Sequence, residues 1–128
     1  MVYYFNKTVA GNFQDVVERT VASLKEDGFG VLTEIDVKET LQKKLDVDFR
    51  QYKILGACNP AFAYQALLAE DKIGTMLPCS VIVQELESGQ IEVAAIDPMA
   101  SMQAVENSEL GGVAHIVREK LRQVVERV

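Results

Sequence analysis

The sequence contains few of the residues on which metal sites, disulfide scaffolds and acid–base catalysis depend. Its 128 residues include one histidine, two cysteines and no tryptophan. A chain of this length buries roughly two-thirds of its unfolded surface, which is enough for a core without disulfides or metals. Two cysteines in a reducing compartment are more often free thiols than a structural disulfide. We therefore predict one domain, residues 1–128, with no cofactor and no metal.

Long apolar runs and an excess of basic residues are also missing. No run approaches the ~18 apolar residues that a membrane helix needs, and MVYYFNKT at the start lacks the regions of a signal peptide. We expect a cytoplasmic protein with no membrane partner. The net charge is −6, whereas nucleic-acid binding relies on lysine and arginine to neutralise phosphates. We therefore predict no nucleic-acid partner.

Apolar periodicity, caps and turn residues predict an alternating order of strands and helices. Asn12 is the expected N-cap of the first helix and Gly28 its stop, and Ser88-Gly89 is a hairpin signal. The predicted strands are residues 2–9, 29–35, 52–58, 79–86 and 90–96, and the predicted helices are about 13–27, 37–47, 60–70 and 107–128.

The C-terminal helix is predicted to be amphipathic. Its apolar stripe, called the C-terminal stripe below, comprises Leu110, Val113, Ala114, Val117, Leu121, Val124, Val125 and Val128. Such a stripe covers a sheet or a partner, and thin two-layer domains often leave one apolar surface to cover. We therefore predict a homodimer, the commonest solution. His115 plots on the charged side of this helix, so we expect an exposed histidine that is neither a base nor a metal ligand.

Three motifs carry a resemblance to a known family. They are YKILGACNP at residues 52–60, LPC at residues 77–79 and Asp97-Pro98, with Ala63, Ala66-Leu67, Gly74, Val81 and Val83 between them. Over nearly its whole length the chain resembles the domain-of-unknown-function 302 family. The resemblance implies a two-layer α+β fold, with a curved antiparallel sheet, a long C-terminal helix packed on it and a topology similar to the TATA-box-binding-protein fold. It implies no activity, because a fold alone transfers none.

Two cysteines mark the candidate site. If the strands before and after the third helix are antiparallel, Cys58 and Cys79 share one edge of the sheet. We predict a small-molecule hollow there, with Cys58, Asn59, Pro60, Pro78, Cys79 and Asp97 as binding residues. Asp97 is read more simply as a helix cap before Pro98. Cys58 adjoins the start of a helix, so we expect it to be the more reactive cysteine unless it is only a small core residue.

Three classes of function stay open at this point. We favour a non-catalytic module that binds a small molecule, because no acid–base pair, phosphate loop or zinc-ligand pattern is present. The alternative is thiol redox or sulfur transfer by Cys58 and Cys79, and a pure interaction protein is the third. Met76, Met99 and Met102 would add thioethers suited to Cu(I), although methionine more often fills gaps in a core.

Overall fold

A five-stranded antiparallel sheet forms the centre of the fold. The computed structural model describes residues 2–128. The strands are β1 (Tyr4–Val9), β2 (Gly30–Asp36), β3 (Tyr52–Cys58), β4 (Cys79–Glu85) and β5 (Ile91–Ile96), in the spatial order β1-β5-β4-β3-β2. The helices are α1 (Phe13–Glu26), α2 (Val37–Leu45), α3 (Pro60–Ala69), α4 (Pro98–Ser101) and α5 (Glu109–Arg127). The predicted two-layer α+β class is confirmed.

The predicted elements are present, and their boundaries differ by a few residues. The first strand begins at Tyr4, two residues later than predicted, and α5 begins at Glu109. Asn107, the predicted start of this helix, lies before it. The Asn107 side-chain oxygen accepts the Glu109 N–H at 3.0 Å. A 3₁₀ helix over Asp71–Met76 was not predicted. It continues the chain directly from α3 towards β4.

The caps of α1 hold the helix between β1 and β2. The Asn12 side chain accepts the Asp15 N–H at 3.2 Å, as predicted for an N-cap. Gly28 follows the helix in the left-handed region, with φ of 83°, and donates to the Lys25 carbonyl at 3.0 Å. Phe29 then donates back to the Leu24 carbonyl at 3.0 Å. The buried Phe29 thereby closes the helix and leads into β2.

One face of the sheet, called the inner face, is covered by α1 and α5. Its core residues include Leu55, Val81, Val93 and Ile91, which pack with Val16 and Leu24 of α1 and with Leu121 and Val124 of α5. All of the C-terminal stripe is buried within the chain except Val113, which is half-buried. The stripe therefore covers the chain's own sheet and leaves no surface for a partner. The homodimer stays a prediction, and it needs another surface.

The opposite face of the sheet, called the outer face, is open. Alternate residues of each strand lie on the outer face. They are Tyr4, Asn6 and Thr8 of β1, Thr33 and Ile35 of β2, Tyr52, Ile54 and Gly56 of β3, Ser80, Ile82 and Gln84 of β4, and Glu92, Ala94 and Ile96 of β5. Strand residues and Tyr3 line its concavity, with no helical residue among the part of the chain described. None of the helices within residues 2–128 is long and apolar enough to cross a membrane.

Candidate functional site

A small apolar cavity lies where β3 ends and β4 begins. Its volume is about 40 Å³, and Cys58, Asn59, Pro78 and Cys79 contribute to its wall. The cavity thus brings together four of the six predicted binding residues. Pro60 is the exposed first residue of α3, and Asp97 lies behind Pro98, so both stay outside the lining.

Most of the cavity wall was not predicted from the sequence. Phe29 and Phe62 supply aromatic rings, and α3 and α5 approach closely because the residues between them are small. The other lining residues are Ala57, Ala63, Ala66, Leu77, Pro98, Met102, Val113, Ala114 and Val117. Asn59 is the only amide side chain among these residues. The spacing of Ala63 and Ala66 on α3 was a usable signal, since small residues at helical spacing permit close helix approach.

The strand register places the two cysteines at the same edge of the sheet. Cys79 pairs with Ala57, the residue before Cys58, while Cys58 pairs with Gly30 on the other side. Antiparallel pairing of β3 and β4 therefore gives the arrangement that the sequence predicted. Both cysteines are free thiols, and Cys79 is buried whereas Cys58 is half-buried.

The environments of the two thiols differ chemically. Burial, and to a smaller extent the proximity of Cys58, raise the pKa of the Cys79 thiol to about 11. At neutral pH Cys79 is therefore a protonated thiol and behaves as a small apolar part of the wall. The greater exposure of Cys58 makes it the accessible thiol of the pair.

Asn59 joins the start of α3 to the end of α1. Its side-chain amide donates to the Asp27 carbonyl at 3.2 Å and does not cap α3. The Asn59 carbonyl instead accepts the Ala63 N–H at 2.9 Å, which begins the helical hydrogen bonding. The start of α3, with its partial positive charge, thus adjoins the cavity at Cys58 and Asn59.

Gly56 lets Pro78 approach the sheet closely. The Leu77–Pro78 peptide bond is cis, and Pro78 directly precedes β4. A Cβ atom added at Gly56 would overlap the Thr33 side chain and lie 2.8 Å from Pro78 Cγ. The glycine in YKILGAC therefore serves a close approach at the rim of the cavity.

Asp97 acts as a cap, which confirms the simpler of its two readings. Its side chain accepts the Met99 N–H at 3.0 Å, and its other oxygen lies 3.2 Å from Arg118 Nε. These two contacts join α4 to α5 and hold Pro98 in the cavity wall. Asp97 therefore supports the site from outside it.

Replacement of Asp97 tests this supporting role. We expect Asp97→Ala to lower the free energy of unfolding by about 1–2 kcal/mol, because the cap and a partner of Arg118 are both lost. Asp97→Asn keeps a capping oxygen and is expected to cost less than Asp97→Ala. Urea unfolding followed by circular dichroism measures both values. Equal losses in the two variants would show that the ion pair, and not the cap, stabilises α4.

No histidine lines the cavity, and one of the three candidate methionines does. His115 is exposed on α5, as predicted. Of the three candidate methionines only Met102 lines the cavity, while Met76 packs in a separate apolar cluster and Met99 is 41% exposed. Within residues 2–128 no group of three or more His, Cys, Asp or Glu side chains is placed to hold a metal ion.

Comparison with known proteins gives a family and a fold. The model of the family "Domain of unknown function DUF302" matches residues 5–128. The crystal structure of an uncharacterized conserved DUF302 protein from Bacillus stearothermophilus superimposes with a TM-score of 0.91 and 28% sequence identity. That likeness covers 99% of this chain and 98% of the other. No curated protein matches the sequence.

Proposed function

Because the chain belongs to the DUF302 family, whose description assigns no activity, we propose a function from the cavity itself: a non-catalytic module that binds a small apolar molecule. The observation that carries the proposal is an apolar cavity at the CNP and LPC segments, lined by two phenylalanines, a methionine and two thiols. Clefts of this composition are the usual sites of small-molecule binding.

The volume limits the size of the bound group. A cavity of about 40 Å³ exceeds the roughly 10–15 Å³ that one water molecule requires. It is far below the roughly 300–1,000 Å³ of sites that enclose a drug-sized molecule. We therefore propose that the cavity holds a small apolar molecule or the apolar end of a larger one, with any acceptor group directed towards the start of α3 and Asn59.

The groups around Cys58 support the proposal of a non-catalytic role. A cysteine nucleophile is usually activated by a nearby imidazole, and the single histidine lies exposed on α5, outside the lining. Cys79 is protonated at neutral pH, since burial raises its pKa to about 11. A cytoplasmic location is part of the same proposal, because a reducing compartment keeps both thiols free.

Filling the cavity tests the proposal directly. Leucine in the variant Ala63→Leu would occupy the cavity, because Ala63 is part of its wall. Ala61→Leu is the matched control, since Ala61 is exposed on the same helix and outside the lining. Native mass spectrometry of protein purified without reductant is expected to show a bound small molecule in wild type and Ala61→Leu, and none in Ala63→Leu. Wild-type protein without a bound molecule, or equal occupancy in Ala63→Leu, would contradict it.

A second candidate function is thiol or sulfur chemistry, favoured by the presence of both cysteines at one cavity. In this alternative the Cys58 thiol takes the sulfane sulfur of a persulfide donor, and the donor leaves as a thiol. The same mass spectra distinguish the two functions. A persulfide on Cys58 or a Cys58–Cys79 disulfide supports the alternative, whereas two unmodified thiols with a bound small molecule support the binding module.

A further inference from the structure

The outer face carries an apolar band that crosses four strands. Ile35 pairs with Ile54, Ile54 with Ile82, and Ile82 with Ala94. These cross-strand neighbours form one continuous row, in which Ile35 is 46% exposed and the others are half-buried. Ile96 and the partly exposed Tyr4 extend the apolar surface beside this row.

A row of polar side chains runs beside the apolar band, and its members are hydrogen-bonded to one another. Asn6 donates to one carboxylate oxygen of Glu92 at 3.0 Å, and Gln84 donates to the other at 2.7 Å. The Gln84 carbonyl oxygen in turn accepts the Arg50 Nε–H at 2.8 Å. The row from Asn6 to Arg50, called the polar ladder below, therefore spans β1, β5 and β4 and ends two residues before β3.

The polar ladder contains one negative and one positive side chain. The Arg50 guanidinium carbon lies 4.4 Å from the centre of the Phe49 ring and 5.4 Å from that of Tyr52. These contacts hold the guanidinium beside Gln84 at the edge of the outer face. The outer face thus has no net charge, although the chain as a whole carries −6.

We propose that the outer face binds a second copy of this chain, with the apolar bands packed against each other about a two-fold axis. Two copies that each carry −6 repel one another at their acidic surfaces, whereas their neutral outer faces meet without like-charge repulsion. Covering the polar ladder leaves no unpaired oxygen on Glu92, because both of its carboxylate oxygens already accept hydrogen bonds.

The dimensions of the outer face fit this occupant. Five strands of six or seven residues form a face of about 24 Å by 21 Å at the usual strand spacing and rise. That area is of the order of the roughly 800 Å² of accessible surface that each partner contributes to a standard interface. Two sheets packed face to face are a stable arrangement when both faces are apolar.

Other occupants fit the outer face less well. A nucleic acid requires several cations, and Arg50, at the edge, is the one cation of the polar ladder. A small polar ligand requires free donors and acceptors, and the carboxylate and amide groups of Glu92 and Gln84 are already paired within the chain. A second copy is matched by the apolar band and by the balanced charges of Glu92 and Arg50.

The experiment is sedimentation equilibrium of wild type, Ile82→Asp and Leu68→Asp. We expect wild-type protein at micromolar concentration to have twice the monomer mass of 14.2 kDa. Ile82→Asp places a charge in the middle of the apolar band, so we expect the monomer mass. Leu68→Asp is the matched control, because Leu68 is 70% exposed on α3 and away from the outer face. We expect it to remain a dimer.

Circular dichroism and thermal unfolding show whether Ile82→Asp remains folded. If it does not, Ala94→Asp in the same band provides the second test, because Ala94 is half-buried on the same face. Wild-type protein at the monomer mass overturns the proposal. So does a dimer that persists in folded Ile82→Asp or Ala94→Asp, and so does a dimer that Leu68→Asp disrupts.

Discussion

Iodoacetamide is expected to label Cys79, the cysteine that remains in Cys58→Ser, slowly at pH 7. It is expected to label Cys58, the cysteine that remains in Cys79→Ser, much faster. The thiolate is the reactive species, and burial raises the pKa of Cys79 to about 11. At pH 7 its thiolate fraction is then about 10⁻⁴, roughly 300-fold lower than that of a free cysteine with a pKa of about 8.5. Burial also hinders access of the reagent to Cys79, whereas Cys58 is half-exposed.

The dependence of labelling on pH separates ionisation from access. In Cys58→Ser the contribution of Cys58 is lost but burial remains, so we expect the labelling rate to rise about tenfold per pH unit and to level off only well above the usual thiol pKa. Labelling of Cys58→Ser as fast as that of Cys79→Ser at pH 7 would show that Cys79 is accessible and ionised. That result would also favour the alternative of thiol or sulfur chemistry. In that chemistry Cys79 attacks a sulfur bonded to Cys58, and a buried protonated thiol cannot do so.

Local sequence signals predicted the elements of the fold because each depends on nearby residues. Asn12 and Gly28 bound α1, and Asp36 accepts the Glu39 N–H at 3.0 Å at the start of α2. The 3₁₀ helix over Asp71–Met76 was missed because its residues show neither a cap nor an apolar period. Its position is set by packing, since Ile73 is buried against Ala66 and Leu110, which come from two other helices.

The candidate site was predicted only where the chain marks it with unusual residues. Cys58, Asn59, Pro78 and Cys79 stand out in the sequence, and antiparallel pairing was enough to bring them together. Phe29, Val113 and Val117 gave no such signal, because they reach the cavity through the packing of α1 and α5 on the sheet. The same packing explains why the C-terminal stripe was the wrong surface to predict for a homodimer. The amphipathic pattern of a helix predicts that its apolar stripe is covered. Only the fold shows whether the covering surface belongs to the same chain or to a partner.

Gly56→Ala is expected to destabilise the protein by about 1–3 kcal/mol, the usual cost of an extra group in a well-packed place. The new methyl group would overlap the Thr33 side chain and lie 2.8 Å from Pro78 Cγ, so the Thr33 side chain and Pro78 must both shift. Urea unfolding measures the loss. Because Pro78 forms part of the cavity wall, we also expect weaker retention of the bound small molecule in native mass spectra.

Gly30→Ala provides the matched control for Gly56→Ala. Gly30 lies on the neighbouring strand β2 and has open space where a Cβ atom would be. We expect Gly30→Ala to be neutral or to stabilise by up to about 1 kcal/mol, because alanine lowers the entropy of the unfolded chain. The double variant Gly56→Ala with Thr33→Ala removes one of the two overlaps, so it should recover part of the loss. Equal destabilisation by Gly30→Ala and Gly56→Ala would contradict this explanation. It would show that the loss at Gly56 does not depend on the close approach of Thr33 and Pro78.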